Sequence, residues 1–411
     1  MTKILHTADI HLDSPLRSLA LRNAPLRDAV AAATRASFSH LVDLAIAEDV
    51  AALLIAGDLF DGRERSARTG AFLMGELDRL GDAGIRVFYT KGNHDAENPI
   101  TGTLDLPSHV HVFDARGGRE QLAEDVWVHG VSFADRHAPD SLLPRFKAPV
   151  PDAVNIAMLH SSLAGAAGHD VYAPCSVADL AGMGFDYWAL GHVHKRQIHS
   201  ESPWVVMPGI PQGRDIGEAG PKSVTLLTIV QGRITVSERR TSIVEFVHST
   251  LDVTDADSDD ALRVMLRRHM SALRRETSAA TGVIRLTLTG RTLRHWQILR
   301  DHDVWSERVE DLARAEGDLW IDKLVLDIAL PDAGDGAAGA ADELAAMMAQ
   351  IRAEPGFAAI AREEVDAVLQ DLPPGLRDRL MPDATARDDL TDRLAQAGAN
   401  RVLARMKGAV G

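Results

Sequence analysis

Five short stretches of this 411-residue chain combine Asp, His and Asn at spacings that suit divalent-cation chemistry. They are Asp9-Ile10-His11, Gly57-Asp58-Leu59-Phe60-Asp61, Gly92-Asn93-His94-Asp95, His160 after the run Asn155-Ile156-Ala157-Met158-Leu159, and Gly191-His192-Val193-His194. Carboxylate, imidazole and carboxamide donors without a thiolate suit Mn, Fe, Zn, Ni or Mg. Alternate residues of an extended segment project to one side, so Asp9 with His11, and His192 with His194, can each reach into one cavity. Two ions need a bridging ligand, and a lone Asp in a Gly-Asp turn can supply one; Asp58 is the candidate. Taken singly, a lone Asp-x-His or Gly-Asp is more often a strand-end turn or a cap, because turns favour these residue types; Gly-His-x-His and Gly-Asn-His-Asp are stronger signals. Their joint occurrence is what makes a site.

Positioning is the second requirement, and the flanking sequence meets it. Each stretch follows an apolar run. Short Val-, Ile- and Leu-rich segments at 3–7, 51–56, 86–90, 126–131, 154–159, 187–190, 204–207 and 224–230 read as strands bounded by Gly, Pro, Asp or Asn. Between the first two runs, Phe38, Leu41, Val42, Ala45 and Ile46 recur at the spacing of one helical face. A second helix at 68–80 places Leu73, Leu77 and Leu80 on one side. Strand–helix alternation implies an α/β sheet core. In such sheets the loops beyond the carboxyl ends of the strands converge on one edge, where ligands bind.

From about residue 245 the rhythm changes. An Asp-rich stretch, 252–260, leads into a basic helix at 261–275 carrying Arg263, Arg267, Arg268, Arg274 and Arg275. Strands at 283–289 and 319–328, with a helical stretch at 293–299 between them, make a small α+β module. Residues 331–341 have the Ala, Gly and Asp composition of a flexible linker. Three helices are expected in the tail, at 343–353, 359–369 and 387–407. On the first, Leu344, Met347, Met348 and Ile351 share a face that either packs within the tail or docks a partner.

The hydrophobic fraction of 45% rules against global disorder. A formal charge of −15 argues against reading nucleic acid from charge alone, although bound divalent ions reverse the local sign at a carboxylate cluster. The single cysteine, Cys175, excludes an internal disulfide and reads as a small buried side chain. No apolar run is long enough to span a bilayer, and the first residues lack the features of a signal peptide, so a cytoplasmic protein is expected.

The stretches HTADIHLDSPL, LLIAGDLFD, VFYTKGNHD, MLHSSL and YWALGHVHKRQ resemble the calcineurin-like metallophosphoesterase superfamily. Within it they are most similar to bacterial DNA-repair exonucleases of the Mre11/SbcD type, YhaO-like branch, as is MPGIPQGRDIGEAGPKSV. The resemblance is strong to about residue 240; beyond that it is one of layout. It implies a sandwich of two sheets flanked by helices over 1–245, a small α+β capping domain over 246–330, a linker over 331–341, and a helical, partner-docking region over 342–411. It further implies that Asp9, His11 and His194 bind one metal ion and Asn93, His160 and His192 a second, with Asp58 bridging. His94 would donate a proton to the leaving oxygen, a sensible role for an imidazole of pKa about 6.5. Asp61 stands where some relatives carry His, and its expected role is a turn or an orienting hydrogen bond.

Two divalent ions, with manganese the leading candidate, would supply an attacking water at neutral pH and neutralise the phosphate oxygens. The implied substrate is DNA, cut as a 3′–5′ exonuclease with or without endonuclease activity. The implied partner is an SMC/Rad50-like ATPase, with a homodimer as a further assembly and no membrane. Lys195, Arg196 and Arg214, with Lys222 nearby, are candidate phosphate contacts, each also readable as an ordinary surface charge. Two alternatives stay open. A small-molecule phosphodiesterase would use the same site but needs neither cap nor tail. A non-catalytic scaffold should show a broken ligand set, and here every position is filled.

Overall fold

In a computed structural model of the chain, residues 1–14, 24–62, 66–96, 98, 105–163, 172–331, 340–373, 377 and 380–407 are described. The expected linker lies almost wholly outside them. The chain forms two compact units: residues 1–248 with 274–285 and 318–322, and residues 249–273 with 286–317 and 323–411.

The first unit contains two six-stranded sheets. One is built from β1 (Thr2–Thr7), β2 (Ala52–Ala56), β3 (Arg86–Thr90) and β4 (Val110–Val112), all parallel, and is extended beyond β1 by antiparallel β11 (Ser223–Val230) and β12 (Arg233–Arg240). The other has β6 (Val126–Val131), β7 (Val154–His160), β8 (Tyr187–Gly191) and β10 (Trp204–Met207) parallel. Antiparallel β5 (Gly118–Ala123) and β9 (Gln197–Glu201) form its edges.

Alternation along each strand decides what the two sheet faces touch. From β2, Ala52 and Leu54 join Ile4 and Phe88 against Ile156, Met158, Tyr187 and Val206 of the second sheet. Leu53 and Ile55 point the other way, onto Phe38, Leu41 and Val42 of α1 (Ala24–Ala47) and Leu73, Leu77 and Leu80 of α2 (Ala67–Asp82). The outer face of the second sheet, with Trp188 and Leu190, packs on Leu180 of α4 (Val177–Gly182). Strands buried on both faces read as unbroken apolar runs, which is why the inner strands were visible in sequence. Ile46 departs from the expected stripe and is 38% exposed. Eight residues beyond Phe38 it has drifted about 80° around the helix, and it sits in the last turn of α1. Between β3 and β4 lies the single turn α3 (Asn93–Ala96).

A third sheet pairs β13 (Val244–Asp252), β14 (Thr281–Arg291) and β15 (Leu319–Ala329) in that order. In the second unit, α5 (Asp259–Glu276) buries Leu262, Leu266 and Met270. It is followed by α6 (His295–Arg300) and by α7 (His302–Ala315), a helix not foreseen above although Trp305, Val309 and Ala313 mark its buried face at i, i+4, i+8. The tail helices are α8 (Ala340–Ala353), α9 (Pro355–Gln370) and α10 (Ala384–Lys407). Helix α10 packs on α6, with Lys407 Nζ 5.1 Å from the Trp296 ring centre. No helix among the described residues is long and apolar enough to cross a membrane.

Candidate metal centre

The donor residues lie where the parallel strands end: Asp9 and His11 after β1, Asp58 and Asp61 after β2, Asn93 and His94 after β3, His160 at the end of β7, His192 and His194 after β8. The loops after β1 and β2 continue to pair past the strands, through Asp9 N to Gly57 O (2.9 Å), His11 N to Asp58 O (3.0 Å) and Leu12 N to Leu59 O (3.0 Å). The third loop is tied in by His94 N donating to Asp58 Oδ1 at 2.9 Å. The second sheet is tied in by His192 N, which donates to both Asp9 oxygens at 2.9 and 3.1 Å.

This convergence requires unusual backbone. Asp9, His11, Asp58 and His192 all have positive φ, at 52°, 46°, 51° and 104°. Non-glycine residues reach that region at a cost of order 1–3 kcal/mol each and persist where surrounding structure enforces them, often at functional sites. The glycines of the motifs have steric reasons. A Cβ on Gly191 would overlap the Ala56 carbonyl oxygen, and one on Gly92 would overlap the Asp58 carboxylate.

Three sets of donor atoms each lie within 4.8 Å of one another: Asp9, His11 and His194; His11, Asp58 and His94; and Asp9, Asp58 and His160. Asn93 joins through its Oδ1, 3.0 Å from His160 Nε2. The His192 ring packs edge-on against His160, 5.1 Å between centres, and against Tyr172 at 5.3 Å.

Proton placement tests whether these groups fit a cation. His194 Nδ1 lies 2.7 Å from Glu218 Oε1, an acceptor, so that nitrogen carries the proton and Nε2 presents a lone pair. His11 Nδ1 lies 3.6 Å from Asp61 Oδ1, which favours the same tautomer. The two Nε2 atoms then face each other at 3.2 Å. His160 repeats the pattern: Nδ1 donates to the Ala56 carbonyl at 3.0 Å, and Nε2 faces Asp58 Oδ2 at 3.4 Å. Opposed lone pairs and carboxylate oxygens in a buried site repel unless a proton or a cation lies between them. The donor set fits divalent cations.

The charges respond to this crowding. Burial opposes ionisation of Asp58, yet the His160, His11 and His94 rings hold its carboxyl below the usual carboxylate range. Burial lowers the pKa of His160, but the Asp58 and Asp9 carboxylates outweigh it and the ring is pushed up to about 9, a proton standing where a cation fits. Burial pulls His94 below its ordinary value, partly offset by Asp58. His94 and His194 are the partly exposed rings, at 32% and 29%, against 1% for His11 and 0% for His160.

Asp61 stands between two rings, its Oδ1 3.6 Å from His11 Nδ1 and 3.5 Å from His94 Nδ1, while Oδ2 accepts from Ser14 Oγ at 2.8 Å. Lys195 is exposed. Arg196 is engaged with Thr225 Oγ1 at 2.5 Å, and Arg214 with Glu218 at 2.8 Å. Asp95 had no assigned role; its carboxylate accepts from Phe60 N and Gly92 N at 3.1 and 3.0 Å and so joins the second and third loops. Its position directly after His94 was the available signal. Glu218 also had none, although it lies within the stretch MPGIPQGRDIGEAGPKSV, outside the five donor motifs.

A family model described as calcineurin-like phosphoesterase matches residues 2–196. An uncharacterised metallophosphoesterase of Bacillus subtilis, YhaO, is 34% identical over 320 residues, covering 76% of this chain and 78% of its own length. The chain belongs to the calcineurin-like phosphoesterase family. A second family model, the middle domain of metallophosphoesterase YhaO, matches residues 246–329. More distant is the DNA double-strand break repair protein Mre11 of Sulfurisphaera tokodaii, 28% identical over 203 residues. That match covers 48% of this chain and half the length of the archaeal protein. A solved dimetal phosphatase from Danio rerio overlaps 58% of this chain at 13% identity, with a TM-score of 0.40, too low to bear on function. Calcineurin-like phosphoesterases use a binuclear metal site, and Asp9, His11, Asp58 and His160 are candidate ligands for it in this chain. The two-sheet sandwich flanked by helices is the fold of this family.

Proposed function

We propose that this calcineurin-like phosphoesterase is a divalent-metal-dependent phosphodiesterase that cleaves DNA, as a 3′–5′ exonuclease with endonuclease activity as a second mode. The observation that carries the metal-dependent half is the pair of nitrogens His11 Nε2 and His194 Nε2, held 3.2 Å apart in a part-buried site with the other nitrogen of each ring turned to a carboxylate. The DNA half is supported by the likeness to proteins named for DNA double-strand break repair. Asp9, His11 and His194 would hold one ion, Asn93, His160 and His192 the other, and Asp58 both. Two manganese ions, when bound, supply an activated water and neutralise the phosphate oxygens.

The remaining work falls to the chain itself. His94, a partly exposed ring beside Asp61, donates a proton to the leaving oxygen, with Asp61 orienting it and His11 together. Lys195 contacts a backbone phosphate, while Arg196 and Arg214 contribute charge from their engaged positions. Residues 1–245 form the catalytic domain and 246–330 a cap. The tail after residue 341 docks an SMC-like ATPase, a reading supported by Met347 and Ile351 being 56% and 43% exposed on α8.

The test is a substrate panel with manganese: linear single- and double-stranded DNA, bis-p-nitrophenyl phosphate and cyclic nucleotides. Shortening of linear DNA from its 3′ ends is the expected result. Hydrolysis of the small esters with every DNA left intact would replace the nuclease reading by the small-molecule one.

A further inference from the structure

The loop after β10 returns to the metal centre and grips it at one residue. Ile210 N donates to His194 O at 3.1 Å, which lays the loop backbone against the His192–His194 segment. Gly209 has φ of 74°, and a Cβ there would press on Arg196 N and His194 O, so close approach needs glycine. Eight residues beyond Ile210, Glu218 ends a short turn over Ile216–Glu218. That turn is fixed by the Asp215 side chain accepting from Gly217 N at 2.7 Å and by Ile216, buried beside Phe246 and Val283.

Both carboxylate oxygens of Glu218 are committed. Oε1 accepts from His194 Nδ1 at 2.7 Å and from Arg214 Nη2 at 2.8 Å; Oε2 accepts from Arg214 N at 2.8 Å. Arg214 Nη2 is itself 3.1 Å from His194 Nδ1, and the oxygen both donors share is what reconciles two N–H groups at that distance. Arg214 therefore fixes the carboxylate, and the carboxylate fixes the ring.

We infer that Glu218, held by Arg214, is the positioning residue for His194: it fixes the imidazole in the Nδ1–H tautomer and aims Nε2 at His11, so that one of the two cation positions depends on it and the other does not. This rests on the metal-dependent reading above. The selectivity follows from geometry. Among the described residues the Glu218 side chain bonds only to His194 and Arg214, whereas His160 takes its orientation from the Ala56 carbonyl in the opposite part of the centre. Partners that orient metal-binding histidines commonly govern affinity by 10–100-fold.

The experiment is calorimetric titration of the metal-depleted full chain with Mn²⁺, comparing wild type, Glu218→Gln and Glu218→Ala, with thermal melting of each apo-protein as the control. Wild type should bind two ions. Glu218→Ala should weaken one binding event by roughly 10–100-fold and leave the other unchanged. Glu218→Gln, which keeps an oxygen acceptor for Nδ1–H, should fall between. Two unchanged events in Glu218→Ala, or two equally weakened ones, would overturn the inference while sparing the metal site. Fewer than two ions on wild type would overturn the metal reading and this inference with it.

Discussion

His11 Nε2 and His194 Nε2 face one another at 3.2 Å from two different sheets, each with its other ring nitrogen turned to a carboxylate. His11 is held by the loop pairing of Asp9–Leu12 with Gly57–Leu59, and His194 by Glu218 and by the Ile210 backbone.

Removing a core donor should weaken metal binding and leave the fold in place. Asp58→Ala is expected to lose at least one ion and most activity. Bound-metal content of the purified variant, measured beside its circular dichroism spectrum, checks this; full metal content would remove Asp58 from the centre.

His94 should behave differently. His94→Ala is expected to keep both ions yet lose about 10²–10⁴-fold of DNA cleavage, the usual worth of a positioned acid. On bis-p-nitrophenyl phosphate, whose leaving group needs no proton, the loss should be much smaller. An equal loss on both substrates would make His94 a ligand or a binding residue instead of the acid.

The junction of the sheets supplies a steric prediction. A methyl group on Gly191 would meet the Ala56 carbonyl oxygen, a backbone atom that cannot rotate aside. Gly191→Ala should destabilise the fold by about 1–3 kcal/mol or more, as overpacking in a close-packed core does. A midpoint of chemical denaturation equal to wild type would show that the strands can part there without cost.

His6 makes the folded state sensitive to acid. Its ring is buried between sheets, with Nδ1 2.9 Å from Tyr187 Oη and Nε2 3.1 Å from Leu190 O, and burial pulls its pKa down from 6.5 to about 3. The folded value lies below the unfolded one, so the contribution is complete above pH 6.5 and is lost as pH falls from 6.5 towards 3. The slope for one such group approaches 1.4 kcal/mol per pH unit, as a rough upper bound. In metal-depleted protein, His6→Gln should flatten the dependence of stability on pH across that window; an unchanged slope would assign the acid sensitivity elsewhere.

The tail invites substitution before truncation. Leu403 and Ala404 of α10 are buried and the helix packs on α6, so cutting at Pro331 would uncover α6 as well as remove a docking surface. Met347→Glu with Ile351→Glu changes only exposed positions of α8. Loss of co-purification with an SMC-like ATPase, with esterase activity retained, is the expected outcome; undiminished co-purification would move the contact off this face.

The inner strands and the donors at their ends were legible because burial on both faces leaves unbroken apolar runs, and because Gly-Asp, Gly-Asn-His and Gly-His-x-His break those runs at their carboxyl ends. Edge strands β5, β9 and β12 were not, since one row of their side chains is exposed and polar and their sequences resemble loops. Helix α7 was hidden because its apolar face is narrow, Trp305, Val309 and Ala313 between charged neighbours. Glu218 was invisible for a different reason. It lies among Gly, Asp and Pro in a loop, and nothing local marks a carboxylate whose partner, His194, is 24 positions earlier.

Anomalous diffraction from manganese-soaked crystals of the full chain tests the central claim most directly. The account predicts two peaks per chain, one among Asp9, His11 and His194, the other among Asn93, His160 and His192, with Asp58 reaching both. No peak at this edge of the sandwich, or a single one away from Asp58, would contradict it.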